Sequence, residues 1–412
     1  MHSIEKKSDG VSLMGEESKG ITFNILNYFF IIFMIYQSGN IFFLGDLYNV
    51  AVPILFISSL IVILSFIYAG KIKLVFDKSR IKQISFILLF TLSMLLTILI
   101  NMDYHFNPYI AIFLQIMVAF FLTYVISFNS FVDKYTKVMF TLALVSLVFF
   151  LIQQIYPAIV YNFKFIEGPN TADYYNAYIH VFLSAKDYSD LYLLSRNSGI
   201  FWEPGAYQAF LNLALFLYLI KASKVNIYVL LTFIITIITT FSTNGYIILI
   251  LILLSFSRKI FISNKITGFL LLITITLSSL YILNNSASLI DSFFFAFNKL
   301  FMEGRIYERI SLGDLNYLFV DNRINLFGIS FSTFESFGVP LWNSIIHTTI
   351  VLGLPFTFML IYGYFNFTRK VTSKWVVFFL ILLMFFSTET LFWRPLFLYL
   401  IFIGMLEINK KV

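Results

Sequence analysis

Apolar residues run along this chain in long stretches, broken by short polar segments that carry most of the charge. A helix that crosses a bilayer needs about 20 apolar residues, within a range of about 17–25. Windows of that size predict spans near 24–44, 48–69, 84–101, 108–127, 137–158 and 205–221, then near 226–242, 244–257, 266–283, 341–364, 375–388 and 395–408. The windows 244–257 and 375–388 are short. Residues 226–257 fit either a tight helical hairpin around Ser242-Thr243-Asn244-Gly245 or one long tilted helix. Inside a bilayer each backbone polar group must be paired within the protein, so the spans are helices. The predicted class is all-α: a polytopic membrane protein of about 12 transmembrane helices, forming one domain over 1–412.

Two segments break the pattern at length, roughly 159–204 and 284–340. Loops of this size are uncommon in compact domains and usually functional. The first contains Tyr161, Tyr174, Tyr175, Tyr178, Tyr188 and Tyr192, and reaches Trp202 near its end. The second contains 287–302, where Leu289, Phe293, Phe294, Phe297, Leu300 and Phe301 gather on one helical face, the pattern of a helix along the membrane interface.

Composition agrees with the membrane reading. Hydrophobic residues make up 59% of the chain, charged residues 12%, and the mean hydropathy is +0.88; soluble domains carry roughly 25% charged residues. Cysteine is absent, which excludes disulfides, thiolate metal sites and thiol catalysis and leaves the redox compartment open. The polar, mixed-charge first twenty residues do not read as a cleavable signal peptide.

The formal charge of +7 is distributed as topology signals, not as a nucleic-acid surface. Lys6, Lys7 and Lys19 precede the first span. Every later basic cluster, from Lys71 to Arg80 and Lys82 through to Lys410 and Lys411, follows an even-numbered span. All therefore share one side, and the positive-inside rule makes it cytoplasmic, with both termini inside and both long loops extracytoplasmic. Of the 28 Lys and Arg, 20 fall inside, which leaves 28 − 20 = 8 outside: Lys164, Lys186, Arg196, Lys299, Arg305, Arg309, Arg323 and Arg394. Five of these eight are Arg. Topology selection accepts either residue, whereas the planar Arg fork matches phosphate and carboxylate oxygens. The bias points to anion binding on the outer face.

Three blocks on that face could carry chemistry. The first is Arg196-Asn197-Ser198-Gly199-Ile200-Phe201-Trp202-Glu203-Pro204-Gly205, which sets an Arg and a Glu at the mouth of the span 205–221. Glu203 reads either as a general base or as a carboxylate at a helix N-terminus that holds Arg196. The second joins Gly304-Arg305-Ile306-Tyr307-Glu308-Arg309 to Asn325-Leu326-Phe327-Gly328-Ile329-Ser330-Phe331. Arg305 and Arg309 stand at i and i+4, one helix face, with Arg305–Glu308 pairing as the bland alternative. The third runs from Trp342-Asn343-Ser344 through His347 to Gly353-Leu354-Pro355. His347 reads as an interface histidine, and Arg323 and Arg394 as interface anchors or as extensions of an anion site. His105, His180 and the scattered Asp103, Asp173, Asp187 and Asp190 show no zinc or calcium spacing.

Taken in order, these blocks resemble the O-antigen and exopolysaccharide polymerase family, which overlaps with the O-antigen ligases. Ser330 stands where the family has a second Gly, and Trp342 where it has a His. The missing His, prominent in the ligase branch, favours polymerase over ligase. The resemblance implies a membrane glycosyltransferase at the outer face of a bacterial inner membrane. It would pass a glycan from an undecaprenyl-pyrophosphate carrier to a hydroxyl of the next repeat unit, with no cofactor or metal. Arg196, Glu203, Arg305 and Arg309 would then serve catalysis, and Trp202, Arg323, Asn343, His347 and Arg394 would contact substrate. Implied partners are the lipid-linked oligosaccharide, membrane lipid and a chain-length regulator, with no nucleic acid. A flippase for the same units is the rival from another class; its kind carries ionisable residues within spans and often repeat symmetry, neither visible here.

Overall fold

The computed structural model describes residues 9–40, 48–68, 77–167, 172–185, 196–263, 319–320, 323–324, 326–336 and 343–406. The predicted span 266–283, the amphipathic stretch 287–302, Trp342, and Arg305 with Arg309 lie outside the described residues.

Within them the chain is predominantly helical: α1 (Asp9–Gly39), α2 (Tyr48–Tyr68), α3 (Lys78–Asn101), α4 (Asn107–Val125), α5 (Phe128–Ile155), α6 (Pro204–Lys221), α7 (Ile227–Thr239), α8 (Thr243–Ser263), the short α9 (Phe331–Ser336), α10 (Ser344–Val371), α11 (Trp375–Thr388) and α12 (Pro395–Met405). Five of these, α3, α4, α5, α8 and α10, are long and apolar enough to cross a membrane, and further shorter apolar helices accompany them. This is the architecture of a helical multi-pass membrane protein.

Several boundaries move for local reasons. α5 begins at Phe128, well before the apolar window, because Ser127 caps it by accepting the Ser130 N–H. Asp77 does the same for α3, Asn226 for α7 and Asn343 for α10. Residues 226–257 form a hairpin of α7 and α8, not one tilted helix. Lys259 near the end of α8 donates to the Leu219 carbonyl at 2.7 Å, and Asn226 before α7 donates its N–H to Tyr218 Oη at 2.6 Å. Both hairpin ends therefore return to the same end of α6. α6 is not among the five apolar helices, since it carries Gln208 and Asn212; both are buried between helices, joined through Asn212 Nδ2 to Gln208 Oε1 at 3.0 Å. α12 is buried along its whole length, against α1, α3, α4 and α10.

The basic residues of the helix termini, apart from Arg394, gather at one end of this bundle, whereas Lys164 and Arg196 lie in the first long loop. Lys221 pairs with Asp133 at 2.6 Å, and Arg80 donates to Thr123 Oγ1 at 2.6 Å with Tyr124 under its guanidinium. Lys370 reaches the carbonyls of Met405 and Leu406, and Lys374 that of Ser255. Several of these cations sit on final-turn carbonyls, the negative ends of helices, where a positive charge is favoured.

Two small antiparallel sheets, which hydropathy did not reveal, interrupt the helices. In the first long loop β1 (Lys164–Glu167), β2 (Ala172–Asn176) and β3 (Val181–Ala185) form a meander, with Tyr174 opposite Ile166 and Leu183. Tyr36 at the end of α1 donates to the Tyr178 carbonyl at 3.4 Å, so the sheet lies over the helix ends opposite the lysines. His180 is buried between Phe149 and Phe182, and burial pulls its pKa down to about 3. β4 (Phe319–Val320) pairs with β5 (Arg323–Ile324).

α10 is broken at Gly353, where the backbone turns to φ 86 and ψ 172, and Pro355 supplies no N–H just beyond. Residues 326–330 fill the break. Leu354 N–H donates to Leu326 O at 2.9 Å, while the N–H groups of Ile329 and Ser330 reach the carbonyls of Ile350 and Val351 at 2.8 and 3.2 Å. Thr97 and Asn101 of α3 bond the carbonyls of Phe327 and Gly328. The freed backbone groups of a discontinuous membrane helix are thus met by protein.

Candidate functional site

The end of the bundle remote from the lysines brings the first and third sequence blocks together. Block 196–205 enters it as an ordered, mostly buried turn. Asn197 donates to Thr239 Oγ1 at 3.0 Å and Ser146 Oγ at 3.2 Å, and its Oδ1 accepts the Gly199 N–H. Ser198 Oγ donates to Val181 O at 2.6 Å while Val181 N–H donates back to Gly199 O, which staples β3 to the block. Asn40 at the end of α1 holds the Ile200 carbonyl at 2.6 Å.

Within this frame Arg196 is half-buried, and its Nε donates to Thr240 O at 3.1 Å. The contact is with the α7–α8 turn, and Arg196 and Glu203 form no ion pair among the described residues. Glu203 precedes Pro204 at the start of α6 in an extended conformation and makes no side-chain capping bond. Burial, and then the nearby Glu203 carboxylate, push the Tyr174 hydroxyl up to about 12. Trp202 is 6% exposed and belongs to the core, and its backbone N–H donates to Gly39 O at 3.0 Å. Little of the indole ring is open for stacking on a sugar.

The third block has clear structural duties. Asn343 Oδ1 accepts the N–H groups of Ile345 and Ile346, both at 3.1 Å, so this side chain starts α10. His347 sits one turn on, its ring 4.9 Å from Phe334 and 5.4 Å from Trp393, and its Nδ1 has no hydrogen-bond partner among the described residues. Arg394 precedes α12 and donates through Nε to Thr390 O at 3.2 Å. Arg323 lies in β5 opposite Val320.

Two carboxylates stand out: Asp103, to which the sequence reading gave no role, and Glu389, which it did not name. Asp103, after α3, is buried and ties α9 to the bundle: it accepts from the His105 N–H at 2.9 Å, Tyr109 Oη at 2.9 Å and the Ser332 N–H at 3.5 Å. Burial works against its ionisation, but the bonds from His105, Ser332 and Tyr109 outweigh that and hold its pKa below the ordinary value. Glu389, which caps the end of α11, is also buried. Its Oε1 occupies the space a Cβ on Gly205 would take, with Cδ 3.1 Å from that point. Ser344 Oγ donates to Glu389 O at 2.6 Å, so this one residue touches both block 196–205 and block 342–355. An acid between two apolar windows, in Thr388-Glu389-Thr390, was the available signal.

The second block meets the third at the helix break, where Ser330 has φ 74 and Gly328 φ 74. At Ser330 the backbone takes the left-handed conformation that glycine favours. Among protein-family models, curated proteins and solved structures, nothing matches this chain.

Proposed function

We propose that this chain is a polymerase of lipid-pyrophosphate-linked oligosaccharide repeat units, acting at the outer face of a bacterial inner membrane. In this reading about twelve spans cross the bilayer, both termini are cytoplasmic, and the lysine-lined end faces the cytoplasm. The observation that carries it is the meeting of sequence-distant polar blocks at the opposite end: Arg196, Glu203 and Glu389 around the start of α6, and the 326–330 segment in the break of α10. An acceptor hydroxyl oxygen would attack the anomeric carbon of the donor. The bond from that carbon to the pyrophosphate oxygen breaks, and the lipid pyrophosphate leaves with the electron pair. Arg196, with Arg305 and Arg309, would bind the departing charge, and Glu203 would take the acceptor's proton.

One observation favours translocation instead: α10 is discontinuous, as in many transporters. Its break is filled by protein, however, with the freed groups bonded to 326–330, so surface chemistry remains the better reading. The test is the length of surface glycan, resolved on a gel, from cells carrying Arg196→Ala, Glu203→Gln or Arg305→Ala at matched protein levels. Collapse to single repeat units on their final anchor supports polymerisation. Accumulation of lipid-linked units inside the cell would establish transport, and unchanged ladders would overturn the site.

A further inference from the structure

Glu389 is in an unusual place for a buried acid. It ends α11, where the negative pole of the helix disfavours a carboxylate, yet its side chain crosses to the positive pole at the start of α6. The crossing depends on Gly205. The backbone of Gly205 is not in the left-handed region, so alanine is sterically allowed there and is the better helix former. Glycine leaves room for the Glu389 carboxylate. The chain on either side of that carboxylate is pinned from two more helices, by Ser344 Oγ on the Glu389 carbonyl and by Asn244 Nδ2 on Thr388 Oγ1 at 3.0 Å.

We propose that Glu389 is a positioning residue of the site: its carboxylate, seated on the amino end of α6, fixes the Glu203-Pro204-Gly205 turn and the direction in which Glu203 faces. This inference rests on the polymerase reading. The two acids then have separate tasks, Glu203 half-exposed toward substrate and Glu389 buried beneath it. Gly205→Ala offers an unusual handle, because the three atoms nearest the added methyl all belong to the far end of the flexible Glu389 side chain. It displaces the carboxylate without forcing the backbone to move.

The experiment compares wild type, Glu389→Gln, Gly205→Ala and the double variant in cells deleted for this chain, and in vesicles supplied with the lipid-linked repeat units those cells accumulate. A misplacement of about 1 Å costs roughly 10²-fold in rate. Each single variant should therefore lower kcat by at least about tenfold at unchanged KM, with wild-type abundance and melting temperature. The double variant should be no worse than the poorer single, since both act on one carboxylate. Full ladders from Glu389→Gln beside an active wild type would overturn this inference alone, as would activity falling only in proportion to folded protein. A wild-type chain that extends nothing would overturn the polymerase reading and this inference with it.

Discussion

Replacing Gly353 by alanine tests whether the break in α10 is built on backbone contact. At φ 86 and ψ 172 the backbone lies in a region open essentially to glycine, and a side chain there costs about 1–3 kcal/mol. The new Cβ would also enter Leu326 O and stand 2.6 Å from Phe327 Cα, atoms that no rotamer change can move aside. Residues 326–330 would have to undock, giving up the bonds at Leu354, Ile329 and Ser330, each worth about 0.5–1.5 kcal/mol net. The loss comes to about 2.5–7.5 kcal/mol, a large part of the roughly 5–15 kcal/mol that holds a typical domain. Gly353→Ala should therefore accumulate poorly and melt far below wild type in detergent, followed by tryptophan fluorescence. Gly328→Ala should behave alike, since its Cβ would enter the Val351 carbonyl. A Gly353→Ala protein that accumulates and melts with wild type would refute the reasoning.

Ser330→Gly relieves a left-handed conformation worth about 1–2 kcal/mol and loses hydroxyl contacts to Ser332, Thr333 and the Tyr109 hydroxyl. Its melting temperature should equal or exceed wild type, and a clear fall would mean that those hydroxyls anchor the segment. His180→Phe bears on acid stability. The folded protein keeps His180 neutral down to about pH 3, whereas the unfolded chain takes up a proton below about pH 6.5. Wild type should thus lose stability relative to the variant as pH falls through that window, and parallel melting curves would contradict the buried, neutral imidazole.

Much of the helical layout was legible because hydropathy in a bilayer is a local property. The window 375–388 is α11 to the residue, and the hairpin at 226–257 was one of two foreseen shapes. Polar starts were less legible: α5 extends back through Asp133, Lys134 and Lys137 because cap and neighbours support it where apolarity does not. The three-stranded sheet escaped because each strand is four or five residues long, and buried residues fall on both faces, Tyr174 on one and Phe182 on the other, which hides the alternation. At the candidate site, the positions of Arg196 and Glu203 at the mouth of α6 could be read. The partners could not, because they are contacts across the fold. Glu389 meets Gly205 from 184 residues away in sequence, Asn343 caps α10, and Trp202 packs in the core.

The brevity of α7 and α11 has a consequence for the lipid around the protein. At about 1.5 Å per residue, their 13 and 14 residues reach only about 20 Å, against a hydrocarbon thickness of about 30 Å. Both present apolar side chains outward, Leu231 and Ile235 on one and Val376 and Leu380 on the other. The bilayer beside them must pinch, at fractions of a kcal/mol for each ångström of mismatch. Thinning draws the headgroup plane toward the ends of these helices, where Thr240 and Glu389 lie. Acyl-chain length thereby becomes a geometric parameter of this end of the bundle, setting how far Thr240 and Glu389 lie beneath the headgroups.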